Sequence, residues 1–171
     1  MKSKNSKSIA VIVAHPDDES LWAGGTILEH PSNDWFIVCL CRGSDCDRTA
    51  RFKNALKLLN AEGIMGDLDD GPNQEPLDEK EVEKEILRLL PEGHYDLIIT
   101  HDSKGEYTKH LRHEEVNKAV VTLWHEKKKY LPMNFGPLLT KMEIKPIFLK
   151  QSKKLLFSNH FRKIYGYEST I

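Results

Sequence analysis

The sequence predicts an α/β fold: a Rossmann-like, three-layer arrangement with a mostly parallel sheet flanked by helices. Three observations carry this expectation. First, runs that read as strands, at residues 9–13, 35–40 and 95–100, alternate with segments of helical periodicity, the pattern of a parallel sheet with helical crossovers. Second, the run at 9–13 is apolar throughout, as in strands covered on both faces. Third, polar residues gather where each of these runs ends, at His15 to Glu19, Arg42 to Asp47 and His101 to His113. In open α/β sheets, ligands bind at that carboxyl rim.

The elements follow in chain order. The polar, lysine-rich start is expected to fray, with residues 1–7 disordered. The strand at 9–13 stops at His15, too short to span a bilayer and followed by acids, so it does not read as a signal peptide. A helix is expected over 20–28, although Gly24-Gly25 is poor for helix propensity and suggests close approach to a neighbouring backbone. Pro31, Ser32 and Asn33 break the chain before the strand at 35–40. A helix over about 48–60 would bury Phe52, Ala55, Leu56 and Leu59 on one face. Gly63-Ile64-Met65 offers only a short strand, and 67–76, rich in Asp, Gly and Pro, reads as a loop. Asp78 with Glu81 is a capping pair for a helix that packs Val82, Ile86, Leu89 and Leu90 and stops at Pro91. The strand at 95–100 leads through a polar rim into a helix with Val116, Ala119, Val120, Leu123 and Trp124 inside. Lys127, Lys128 and Lys129 suit a solvated helix end. An irregular stretch at 131–141, a strand at 144–149 and a closing helix at 153–164 complete the pattern. Pro146 implies an edge position or a break for that strand.

Composition narrows the function. The 171 residues suit a single domain over 1–171, long enough to bury about 70% of the unfolded surface without staples. With 25 basic and 26 acidic residues the formal net charge is −1, which gives no support for a nucleic-acid or membrane partner. Cys39, Cys41 and Cys46 make an odd count, expected as free thiols in a reducing compartment, hence the cytoplasm. Cys39 and Cys41 alternate along one strand and read as packing residues. No glycine-rich phosphate loop follows a strand, so nucleotide binding has no motif behind it.

Two clusters carry chemistry. In Ala14-His15-Pro16-Asp17-Asp18-Glu19, His15 and Asp18 are three apart, so one turn can aim both at a common atom. Asp17, adjacent to Asp18, faces elsewhere and is available for a different role. The bland alternative is that these acids only favour a helix dipole. His110 and His113 form an H-x-x-H at a helix start, on the same rim. Two histidines and a carboxylate, with a position left for water, suit a catalytic zinc site. Nitrogen and oxygen donors without thiolate also suit iron or manganese. His30, His94, His125 and His160 read as surface or packing residues, and His101 lies on the rim as a possible neighbour of the site. Arg42, Arg48 and Arg51 sit near one rim, where solvation is the default and an anionic group the alternative.

These residues resemble the PIG-L/LmbE-like family of zinc-dependent N-acetylglucosaminyl deacetylases, over about residues 8–125. The family's A-H-P-D-D-E motif is complete at residues 14–19. Its H-x-x-H stands at His110 and His113, preceded by Gly105-Glu106-Tyr107. A third feature is partly kept: Arg48, Ala55 and Leu59 match, while Arg51 replaces the usual glutamate and Asn60 the usual glycine. The resemblance implies Zn2+, with Fe2+ or Mn2+ compatible, held by His15, Asp18 and His113. It also implies Asp17 as general base, His110 as acid or oxyanion partner, and Arg48 as a contact to the sugar or its aglycone. The substrate it implies is a small N-acetylated sugar conjugate, hydrolysed at the amide. Two departures stand out. Arg112 occupies a position where many members have aspartate, and Tyr107 lies three residues before His110, one farther than in members whose tyrosine aids the oxyanion. Two other functions compete: a metal-binding member that has lost catalysis and serves as a binding protein, and a receiver-like α/β regulatory module built on Asp17-Asp18 and Lys150. The second has no use for H-x-x-H.

Overall fold

A computed structural model describes residues 6–104, 106, 109–130 and 145–146. In chain order the elements are β1 (Ser8–Val13), a π-helical turn (Glu19–Ala23) that continues into α1 (Gly24–Glu29), β2 (Asp34–Cys41), α2 (Cys46–Leu59), β3 (Glu62–Leu68), α3 (Glu79–Leu89), β4 (Leu97–Thr100), α4 (Leu111–Tyr130) and β5 (Lys145–Pro146). The irregular stretch expected at 131–141, the helix at 153–164, Tyr107 and Lys150 lie outside the described residues.

All strand pairs are parallel, in the order β3-β2-β1-β4-β5. This is the Rossmann order, in which the chain runs outward through β2 and β3 and then returns to the other side of β1. Receiver domains order their strands 2-1-3-4-5. A switch point therefore lies between β1 and β4, and their carboxyl ends flank one crevice.

The β1 side chains alternate between two cores. Ile9, Val11 and Val13 join Ala23, Ile27, Phe52, Leu56 and Leu59 beneath α1 and α2. Ile12 joins Val82, Ile86, Val116, Ala119 and Val120 beneath α3 and α4. Helices thus cover both faces, which explains why the strand is apolar from Ile9 to Val13. Trp22 and Trp35 are buried. Cys39 and Cys41 are buried free thiols, Cys46 an exposed one. Among the described residues no helix is long and apolar enough to cross a membrane.

The caps account for the helix ends. Asp45 accepts from the Arg48 amide (3.0 Å) and starts α2 two residues earlier than the periodicity suggests. Asn60 ends α2 in the left-handed region at φ 50°. Asparagine tolerates that conformation better than most residues, so it can stand where a glycine is usual. Asp78 accepts from the amides of Lys80 and Glu81 at 2.9 and 3.2 Å, as expected of its cap role. β3 is a seven-residue strand, longer than the short one expected. Its glycines lower strand propensity but permit close approach: a Cβ at Gly63 would stand 2.5 Å from the Ile37 carbonyl oxygen. Among the described residues β5 is the outermost strand, paired to β4 through Lys145 and Pro146, a position that tolerates proline.

Candidate metal centre

The site forms where β1 ends. The amides of Asp17 and Asp18 both turn back to the His15 carbonyl, at 3.1 and 3.2 Å. The Asp18 carboxylate in turn accepts from the His15 amide at 2.8 Å. This knot brings Asp18 Oδ2 to 3.2 Å from His15 Nδ1. Asp17 has φ 156°, a conformation rare for a residue with a side chain. Its amide donates to Glu19 Oε2 at 3.1 Å, and Glu19 itself is buried. Backbone strain of this kind collects at functional sites.

The other half comes from the β4 end. His110 immediately precedes α4 and accepts from the Glu114 amide through its carbonyl, and His113 lies in the helix's first turn. Across the crevice, His15 Nδ1 is 3.2 Å from Asp18 Oδ2 and 3.2 Å from His113 Nε2, and His113 Nε2 is 3.3 Å from Asp18 Oδ2. The three donors make a near-equilateral triangle. A tetrahedral metal with bonds of about 2.0–2.1 Å holds its ligands about 3.3 Å apart, so these side chains fit such an ion as they stand. His15, His110 and His113 also form a compact group, as do Asp18, His101 and His113. The last is less suited to a cation. His101 Nε2 accepts the Ala14 amide at 2.9 Å, which occupies the lone pair a metal would need. That nitrogen is also 3.4 Å from Asp18 Oδ2. A backbone N–H is an obligatory donor at the shorter distance, so Nε2 is the acceptor.

His15, Asp17, Arg42, Arg48, Asp70 and His110 line a pocket of about 190 Å³, together with Pro16 and Gln74. Arg48 Nη1 is 3.4 Å from Asp17 Oδ2. Arg51 instead pairs with Asp47 at 2.9 Å along α2 and is absent from the pocket lining.

Comparison with known proteins fixes the kinship. Residues 10–124 match the family model described as PIG-L, GlcNAc-PI de-N-acetylase. The chain belongs to the PIG-L family. A curated relative, an uncharacterised protein of Acanthamoeba polyphaga mimivirus, is 27% identical over 126 residues, covering 64% of this chain and 55% of the relative. The chain thus spans about half the length of the curated relative it matches. Among solved structures, the N,N'-diacetylchitobiose deacetylase of Pyrococcus horikoshii matches with a TM-score of 0.67 and 17% identity, over 94% of this chain and 74% of that one. Teicoplanin deacetylase in a zinc-inhibited form matches at 0.60 and 16%, over 71% and 64%. A 4-carboxy-2-hydroxymuconate hydratase of Pseudomonas putida matches at 0.51 and 21%, over 72% and 59%. At these identities the likeness is one of fold. PIG-L membership and the Rossmann strand order together replace the receiver-like alternative.

The electrostatics of this PIG-L site are those of a closely packed cluster. Burial pushes Asp18 up, but the surrounding imidazoles outweigh it and hold the carboxyl well below the usual range. Burial pulls His113 down, yet Asp18 and Glu106 dominate and push it up to about 9. His15 is raised by Asp18 and Asp70 against its burial. His110 moves the other way, lowered by burial and by the charges of His113 and His15. Its Nδ1 is buried with no hydrogen-bond partner among the described residues.

Three contributors went unassigned in the sequence. Asp70, in a stretch read only as loop, meets His15 Nε2 at 3.2 Å and Arg42 Nε at 2.9 Å. Its one signal was its place just beyond a strand end. Glu106, known only as part of Gly-Glu-Tyr, bonds both His101 and His113. Arg112 is buried and donates to the carbonyls of Asp69 (2.7 Å) and Glu75 (2.8 Å) and to Glu115 (2.7 Å). It ties the loop that carries Asp70 to α4.

Proposed function

We propose that this PIG-L protein is a metal-dependent N-deacetylase that hydrolyses the acetyl amide of a small N-acetylated sugar conjugate. The observation that carries the proposal is the 3.2–3.3 Å donor triangle of His15, Asp18 and His113, with Asp17 beside it on the pocket wall. These three residues would hold the ion, with zinc the best match to the donor set and iron or manganese compatible. When bound, the ion supplies Lewis acidity that polarises a carbonyl and eases ionisation of water.

The protein's own groups supply the rest. Asp17 accepts a proton from the attacking water as its oxygen bonds the acetyl carbon. The same proton passes to the amine nitrogen as the carbon–nitrogen bond breaks. His110, whose pKa is lowered by burial, offers an N–H to the developing oxyanion rather than acting as the acid. Arg48 lines the pocket and meets the sugar or its aglycone. Three free thiols, two of them buried, suit a reducing compartment, and we assign the protein to the cytoplasm. A catalytically silent metal-binding protein is the competing function. A base and an oxyanion partner facing one pocket weigh against it.

Two variants separate the roles. Asp17→Ala should lower kcat by about 10²–10⁴-fold while zinc stays bound. Asp18→Ala should lose zinc. Undiminished turnover in the first would remove Asp17 as base, and full zinc occupancy in the second would reject the ligand set.

A further inference from the structure

We propose that Glu106 is a positioning residue: its single carboxylate, shared between His101 and His113, decides which nitrogen of His113 is left to bind metal. The proposal rests on the metal reading of the site.

The chain of constraint begins at the backbone. Ala14 N–H donates to His101 Nε2 at 2.9 Å, so His101 carries its proton on Nδ1. That Nδ1 lies 2.5 Å from Glu106 Oε1. The other oxygen, Oε2, lies 2.6 Å from His113 Nδ1. An ionised carboxylate only accepts, so His113 must also carry its proton on Nδ1. Its Nε2 is then the nitrogen that faces Asp18 and His15 and that gives up its proton when a metal binds. The two rings stack with centroids 3.8 Å apart and planes within 10°, so both present Nδ1 to the same carboxylate. The Glu106 side chain is only 2% exposed, which keeps water from taking its place. His101 is itself held from a third side, since Asn117 donates to its carbonyl at 2.7 Å. His101 therefore acts on the metal site without touching the ion, through Glu106 and then His113.

Glu106→Gln tests this because an amide cannot accept at both ends. His101's proton is pinned, so the amide oxygen must face His101 and the NH2 must face His113 Nδ1. His113 then moves its proton to Nε2, where the metal should bind. Loss of such an outer contact typically weakens metal affinity about 10–100-fold. Zinc titration of the full chain against a competing chelator should show that loss in Kd for Glu106→Gln. A merely structural role would lower the melting temperature and leave Kd unchanged, and an unchanged Kd overturns the proposal. A wild-type chain that takes up no zinc overturns the metal reading itself, and the proposal with it. Should the variant fail to fold, ring nitrogen NMR on zinc-loaded wild type decides. Protons on Nδ1 of both His101 and His113 are expected, and a proton on His101 Nε2 would contradict the proposal.

Discussion

Asp17 and Asp18 are neighbours in sequence and opposites in setting. The turn after β1 folds Asp18 back toward His15, where imidazoles hold it ionised. The unusual backbone at Asp17 sends the next carboxylate to the pocket beside Arg48. Spacing alone conveys this division, because a three-residue interval within one turn aims two side chains together and an adjacent residue elsewhere. The same logic made His110 and His113 readable. Contacts made across the fold were not. Asp70 reaches His15 from 55 positions away, and Glu106 pairs two imidazoles whose approach depends on how β4 and α4 lie side by side. Glu106 also yields a pH prediction. Burial pulls its carboxyl up, but the two imidazole donors outweigh this and hold it at about 2, below the ordinary 4.5. A folded-state value below the unfolded one means that its stabilisation is complete above pH 4.5 and is lost as pH falls toward 2. Urea midpoints of the metal-free protein should fall through that window, and Glu106→Gln should flatten this part of the curve. Equal slopes in the two proteins would remove Glu106 from the acid response.

At the scale of elements, hydrophobic period and capping chemistry sufficed for most of the chain. Residues 9–13 were readable as a strand covered on both faces because no position could be polar. α2 and α3 were readable from their inward faces and from the acid at Asp78. β3 was under-read because glycine counts against a strand unless the neighbouring strand is known to come close. Periodicity predicts ordinary helix where the π-helical turn at Glu19–Ala23 forms, since nothing local signals that the buried Glu19 carboxylate binds the Asp17 amide and the Ser20 hydroxyl. Gly63 makes the β3 argument testable. A methyl group there would stand 2.5 Å from the Ile37 carbonyl oxygen and 2.9 Å from Leu56 Cδ2. Gly63→Ala should cost about 1–3 kcal/mol, as overpacking does, read from urea unfolding. An unchanged midpoint would show that β3 can move away from β2 freely.

For the whole molecule, the strand order matters more than any one element. β1 and β4 are far apart in sequence and adjacent in the sheet, so the A-H-P-D-D-E turn and the H-x-x-H helix start open onto one crevice. Local pattern implies alternating strands and helices but does not say which strands are neighbours. Both motifs follow strands, which places them on one rim, and the sheet order accounts for why that is enough. The most direct test of the account is elemental analysis of the purified chain, paired with amine release from N-acetylglucosamine and simple conjugates before and after chelation. About one zinc or iron per chain is expected, with amine release that stops on chelation and returns with metal. A protein that never takes up metal, or whose amine release is indifferent to its removal, would contradict it.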